Sequence, residues 1–267
     1  MKSNLRALIN QVRQLNKNME KLSTALSSLE GIAKIYEIYV PSLNRKVKFK
    51  GFTTKQQKDA VKSALEKAST GLSFTLLLNS VLKENCQEQI EFLLADRGYI
   101  AVCLRALSLS SYINKENEKI DISFIVNNNL PIPDTLKTSE LVDDNVKLDV
   151  SIPTLTLDST VNVETQKKLA PISNNEELTK KAIGEIYINE LVKYVNKITI
   201  NNSGNLVEIN FNELTTPQKV QVIERLPLSS NVKLIDYINS VKAFERKLFT
   251  NNSQEVEIGI DPSLFTV

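Results

Sequence analysis

Histidine is missing from all 267 residues. That removes the usual general base at neutral pH, the Ser–His and Cys–His nucleophile pairs and every imidazole metal ligand. Glycine is scarce, at seven residues, and none forms a phosphate-cradling loop. Two cysteines, Cys86 and Cys103, are too few for a disulfide scaffold, which points to a reducing compartment. Both have apolar neighbours and read as inert core thiols. No apolar run approaches the length needed to span a bilayer. The N-terminus carries Lys2, Arg6, Arg13 and Lys17 without a compact apolar block, so it is no signal peptide. The net charge is only +2, with Lys and Arg spread along the chain, which gives little reason to expect a nucleic-acid surface. These absences close most routes to an enzyme. The remaining candidates are scattered Asp and Glu residues with no defining spacing, so the expectation is a protein without catalytic residues, metal or cofactor.

What is present is an unbroken heptad run in the first thirty residues. Leu5, Leu8, Val12, Leu15, Met19, Leu22, Leu26 and Leu29 follow at alternating spacings of 3 and 4. The d positions are all Leu, and the flanking e and g positions are mostly neutral: Asn4, Ile9, Gln11, Asn16, Asn18, Ser23 and Ala25. So narrow a seam calls for another helix along its length, and its neutral flanks leave partner choice weakly specified. Ile9 and Ala25 widen the stripe, which suits a bundle of three or more helices. The eight seam residues are the expected protein-interaction site, through self-association or a heteromeric bundle. Packing on the protein's own body is the plainer alternative, although a self-packed helix usually shows a broader face.

Gly31 ends this helix. Lys34 to Val40 and Lys46 to Lys50 read as a hairpin across a Pro41–Arg45 turn, with Val47 and Phe49 on one face and a cationic outer face of Arg45, Lys46, Lys48 and Lys50. Such a face is solvated, or it meets an acidic partner. Thr53 or Thr54 caps the next helix, with Gln56 or Gln57 completing a capping box. Four short helices are expected, over 55–69, 73–83, 87–94 and 99–109. Asp96 and Arg97 read better as a cap and an ion pair than as catalytic groups.

The stretch from Val40 to Lys58 resembles the opening of a baseplate protein family of T4-like contractile-tailed phages, where a hairpin leads into the first helix. Gly51 stands where that family often has Pro. The Asn85-Cys86, Asp96-Arg97 and Leu104-Arg105 regions also fit, as do Leu214 to Lys219 and Leu226-Pro227. The resemblance covers about residues 34–265, with the heptad helix outside it. Some relatives carry Cys pairs in the final hairpin; this chain has none there, so no metal site carries over.

Further on, Ile120 to Phe124 reads as a strand, and Asn127 to Asp134 as a turn cluster and internal boundary. Short alternating runs follow at Val146-Leu148-Val150, Leu155-Leu157 and Val161-Val163, limited to edges or loops by Pro153 and Pro171. Asp143 and Asp144 read as a solvated loop. A helix from about Ser173 to Val195 precedes a hairpin over 198–211. Thr216 caps a helix that Pro227 stops, and residues 233–248 have helical spacing. Val256, Ile258 and Ile260 alternate as a strand, and the apolar end, Leu264, Phe265 and Val267, docks on its own domain.

The expected fold class is α+β. A coiled-coil-like helix spans 1–31, a hairpin plus helical domain 32–127 and a mixed α+β domain 128–267. The resemblance implies a structural or assembly component of a contractile tail baseplate, in the hub region. Its partners would be other baseplate and hub proteins, with no nucleic acid and no membrane. It would lie in the virion tail after assembly in the host cytoplasm. The alternative is an intracellular adaptor or chaperone that holds a client helix with its heptad helix.

Overall fold

A computed structural model of the chain describes residues 17–26, 28–29, 32–65, 71–115, 118–169, 176–251 and 254–265. The fold is mixed α+β, as expected. Within residues 1–35, which form a unit of their own, 17–26 and 28–29 are helical (α1). The rest of the chain, residues 36–267, forms the second unit.

That second unit opens with the expected hairpin, β1 (Ile35–Val40) and β2 (Arg45–Lys50). Val47 and Phe49 point inward and are buried, while Arg45, Lys46 and Lys48 face outward. Thr53 then caps α2 (Thr54–Leu65). The Gln56 backbone N–H donates to the Thr53 hydroxyl at 3.2 Å and the Gln56 side-chain Oε1 accepts from the Thr53 N–H at 3.1 Å, a reciprocal capping box. α3 (Leu72–Asn85) and α4 (Arg97–Ser108) follow, and α4 is buried along Tyr99–Arg105.

Residues 87–94 are not a helix. Cys86 bridges to Phe49, and the Gln87 N–H donates to the Lys48 carbonyl at 2.9 Å. Leu93 bridges to Thr154, and the Leu94 N–H reaches the Pro153 carbonyl at 2.7 Å. Bonds to distant chain therefore take the backbone groups that a helical turn would use. Only Leu94–Asp96 makes a turn of 3-10 helix before α4.

The strand expected over 120–124 is also shorter and earlier. β3 (Tyr112–Lys115) pairs with β4 (Glu118–Asp121), and Asp121 then accepts from the Ser123 N–H at 2.9 Å. This local side-chain turn stops the strand, and Ser123–Asn127 continues as 3-10 helix.

After a four-residue α5 (Asp134–Lys137), β5 (Thr138–Asp143) and β6 (Val146–Ser151) begin an antiparallel sheet of order β5-β6-β7-β8. β7 is Val195–Asn202 and β8 is Asn205–Asn210. Leu141, Leu148, Ile198 and Ile209 stand in one cross-strand row on the core face. The opposite face is charged, with Lys147 on Glu140 at 2.5 Å and Lys197 on Glu208 at 3.2 Å. The β7–β8 turn uses Ser203 and Gly204, both at positive φ, as a two-residue hairpin of right-handed twist requires.

Between β6 and β7 lie α6 (Leu155–Leu169) and α7 (Glu176–Val192). α6 corrects the expectation of strand-like runs at 155–157 and 161–163. Its buried positions are Leu155, Asp158, Val161, Asn162 and Thr165, a helical spacing hidden from hydrophobicity because three of the five are polar. Thr154 caps it, accepting from the Leu157 N–H at 3.2 Å.

α8 (Thr216–Ile223) is capped by Thr215, one residue earlier than expected, through Gln218. α9 (Leu228–Lys247) packs on β5 and β6 and confirms the helical spacing. A two-residue ladder, β9 (Thr250–Asn251) with β10 (Gln254–Glu255), precedes residues 256–260. The strand expected at 256–260 has no ladder partner among the described residues. Pro262–Phe265 ends as 3-10 helix with Leu264 and Phe265 fully buried on this same unit, as expected. Val267 lies outside the described residues.

One hydrophobic core runs from Ile38 to Phe265 and draws on residues before and after the Asn127–Asp134 turn cluster. Gly51 joins the hairpin to α2 at a crowded point: a Cβ there would lie 2.9 Å from Ser108 Cβ and 3.1 Å from the Tyr36 ring. Gly51→Ala is therefore expected to destabilise the fold by about 1–3 kcal/mol, the typical cost of overpacking, read as a lower urea midpoint at unchanged m-value.

Candidate functional site

The expected interaction seam is partly visible. Leu5, Leu8, Val12 and Leu15 lie outside the described residues. Met19, Leu22, Leu26 and Leu29 share one face of α1 and are 52–62% exposed. Neighbouring hydroxyls fold back on the helix: Thr24 donates to the Glu20 carbonyl at 2.9 Å and Ser28 to the Thr24 carbonyl at 2.8 Å. A contiguous apolar stripe is thus left open to solvent, which is costly unless it is used.

Inside the second unit the charged groups serve a different purpose. Asp158 of α6 is buried, and three elements converge on it. Lys193, just after α7, donates to Oδ1 at 2.7 Å, Arg97 of α4 to Oδ2 at 3.0 Å and Asn79 of α3 to Oδ2 at 2.8 Å. Lys193 also reaches Asn162 at 2.9 Å and Glu190 at 2.6 Å, so its three donors are all used. Burial pushes the Asp158 carboxyl up, but Lys193 and Arg97 outweigh it and hold the group below its ordinary value. A cavity of about 110 Å³ opens beside this cluster, lined in part by Leu72, Ile186 and Asn189.

Asp96 does not pair with Arg97. It is fully buried and accepts from the Ser42 N–H at 2.9 Å, the Ser42 hydroxyl at 2.5 Å and the Leu93 N–H at 2.9 Å. It therefore ties the hairpin turn to the start of α4. Burial raises its pKa to about 6 despite these bonds. Asp143 is no solvated loop residue either. It accepts from Ser229 and Ser230 in the first turn of α9, at 2.6 and 2.8 Å, and pairs with Lys233 at 3.0 Å; these bonds pull its pKa down to about 2. Cys103 is buried, with its thiol pushed up to about 12 by desolvation, while Cys86 is half-buried and raised for the same reason.

Glu245, near the end of α9, is the carboxylate left over. It forms no hydrogen bond or ion pair with a described residue, and desolvation raises its pKa to about 7 against the attraction of Arg97 and Lys242.

The overall charge of +2 concealed a partition that counting by segment would have found. Residues 1–62 carry 13 Lys and Arg against 4 Asp and Glu, and residues 63–267 carry 20 against 27. Lys46 on β2 and Lys55, Lys58 and Lys62 on α2 are exposed and form no ion pair among the described residues. Elsewhere Lys83, Lys147, Lys168, Lys197 and Lys233 all do.

The charge clusters of the described residues hold helices together, no group of three or more His, Cys, Asp or Glu among them could hold a metal ion, and their exposed features include the apolar face of α1 and a basic face. The family model of the T4 bacteriophage base plate protein matches residues 33–254, and the chain belongs to that family. It is a phage baseplate component whose partners are other baseplate proteins. No curated protein and no solved structure matches it.

Two substitutions check these electrostatics. Lys193→Met leaves Arg97 as the one remaining cation on the buried Asp158 carboxylate and frees Oδ1 of its partner, and is expected to cost about 1–3 kcal/mol, measured by urea denaturation. Glu245→Gln removes a carboxyl that keeps its proton to about pH 7 when folded, against an ordinary value of 4.5. Between those values the folded state binds more protons. The penalty is therefore absent below pH 4.5 and complete above pH 7. The variant is expected to gain on the order of 1–2 kcal/mol at pH 8 and nothing at pH 4, seen as a thermal midpoint that rises only at the higher pH.

Proposed function

We propose that the chain acts in the hub region of a contractile-tail baseplate, as a structural or assembly subunit held in place through its N-terminal helix. The observation that carries this is the open seam of Met19, Leu22, Leu26 and Leu29, the exposed half of a four-heptad run that begins at Leu5. A run of that length is enough for a coiled coil or bundle. Residues 1–30 lie before the family match, so the helix is an attachment device added to a baseplate-type body. The exposed lysines of β2 and α2, which form no ion pair among the described residues, supply a second contact, for an acidic surface of a neighbouring protein.

Replacing Leu15 and Leu22 together by Asp is expected to abolish helix-mediated association while leaving the circular dichroism of the body unchanged. Sedimentation of the full chain, of this double variant and of a chain lacking residues 1–30 measures it. Normal assembly by the double variant would remove the seam from the interface. Mass spectrometry of purified virions separates a resident subunit from one that acts only during assembly.

A further inference from the structure

The sequence alternates Val256, Glu257, Ile258, Gly259 and Ile260, as a strand does. In the structure the burial alternates with it: Val256, Ile258 and Ile260 are half-buried, and Glu257 and Gly259 are exposed. Yet the segment joins no sheet among the described residues. The Val256 N–H donates to the Phe249 carbonyl at 3.0 Å, continuing the direction of the β9–β10 ladder. Beyond it, Ile258, Gly259 and Ile260 make no backbone hydrogen bond among the described residues. One side of the segment is seated: Ile260 and Phe249 crowd the space above Gly98 of α4, at 3.4 and 3.6 Å from a Cβ built there.

The same segment borders a groove of about 520 Å³, lined by Lys242, Glu245, Arg246, Phe249, Val256 and Ile258 among others. That is enough for several residues of extended chain, and within the range of ligand sites generally. The walls are apolar at Phe249, Val256 and Ile258. Glu245, the carboxylate without a hydrogen bond, lines the same groove. Arg97 cannot neutralise it by contact, because Arg97 is held on Asp158. Glu190 and Asp96 add further negative charge nearby.

We propose that this groove receives an extended segment of another protein, which adds as a strand beside Ile258–Ile260 and sets a lysine or arginine side chain against Glu245. Backbone groups without a partner among the described residues supply the ladder bonds, apolar walls take the alternate side chains and the half-buried Glu245 carboxylate selects the cation. The site is built from residues of the second unit alone, and its argument does not use the α1 seam.

Panning a random heptapeptide display library on the purified full-length chain tests the site. Enriched peptides are expected to carry one Lys or Arg between alternating apolar residues. A synthetic peptide of the enriched sequence should lose about tenfold in affinity on Glu245→Gln, as expected for a lost charge-assisted bond. Bound to the wild type, it should slow amide exchange at Ile258–Ile260 by about tenfold or more. Ile258→Pro, which removes an N–H that the fold leaves unused, should abolish binding; where that variant does not fold, the exchange measurement decides. The proposal is overturned by no enrichment, by enriched peptides without a basic residue, by equal affinity on Glu245→Gln, or by unprotected amides at 258–260. The Leu15, Leu22 double variant should bind the peptide normally, so a failed seam and a failed groove give different results.

Discussion

Asp158 is the point on which the helical part of this protein depends. A carboxylate with 2% exposure survives only if its bonds replace those of water. Here they come from α3, α4 and the end of α7, so one charge fixes the positions of four helices, its own α6 included. The geometry propagates. Arg97 is committed to Asp158, which leaves Glu245 without a contact partner among the described residues, and α4 is set where Asp96 can take the amide of the distant Ser42 as well as that of its neighbour Leu93. Buried pairs of this kind add little net stability, but they penalise every arrangement in which the partners fail to meet.

The same economy governs the rest of the body. Asp143 on β5 closes the first turn of α9, and Glu91 accepts from Thr156 at the start of α6. Burial pushes the Glu91 carboxyl up, and the Thr156 bonds and Lys83 bring it below its ordinary value. In both cases a helix start receives an acidic group from elsewhere in the chain, where unsatisfied N–H groups favour negative charge. The acidic excess of residues 63–267 is thus partly used internally, while four lysines of β2 and α2 form no ion pair among the described residues. Charge for internal use and charge for contact are separated along the chain, which suits a baseplate subunit that must fold first and then bind neighbours.

Much of this architecture is legible from local signals. The β1–β2 hairpin, the Thr53 capping box, α9 and the Ser203-Gly204 turn each carry their information within a few residues. The resemblance over 34–265 led to the family that the match over 33–254 establishes. Of the eight seam residues, Met19, Leu22, Leu26 and Leu29 are exposed on α1, and the other four lie outside the described residues. The failures have a common cause. α6 hides its period because Asp158, Asn162 and Thr165 occupy core positions; residues 87–94 lose their helix to bonds with Lys48 and Pro153; and Asp121 ends β4 early.

By itself the sequence determined what repeats or closes locally: the heptad seam, the hairpins, most helix starts, and the lack of imidazole chemistry. Hydrophobic period and capping depend on neighbours three or four positions away, so they can be read along the chain. Only the tertiary structure decided which polar residues are core, which carboxylate is left unpaired and which strand-like segment lacks a sheet. Each of those outcomes joins groups tens of residues apart, Asp158 with Asn79 or Ser42 with Asp96, and the energy of such a pair exists only once burial has removed the water between them.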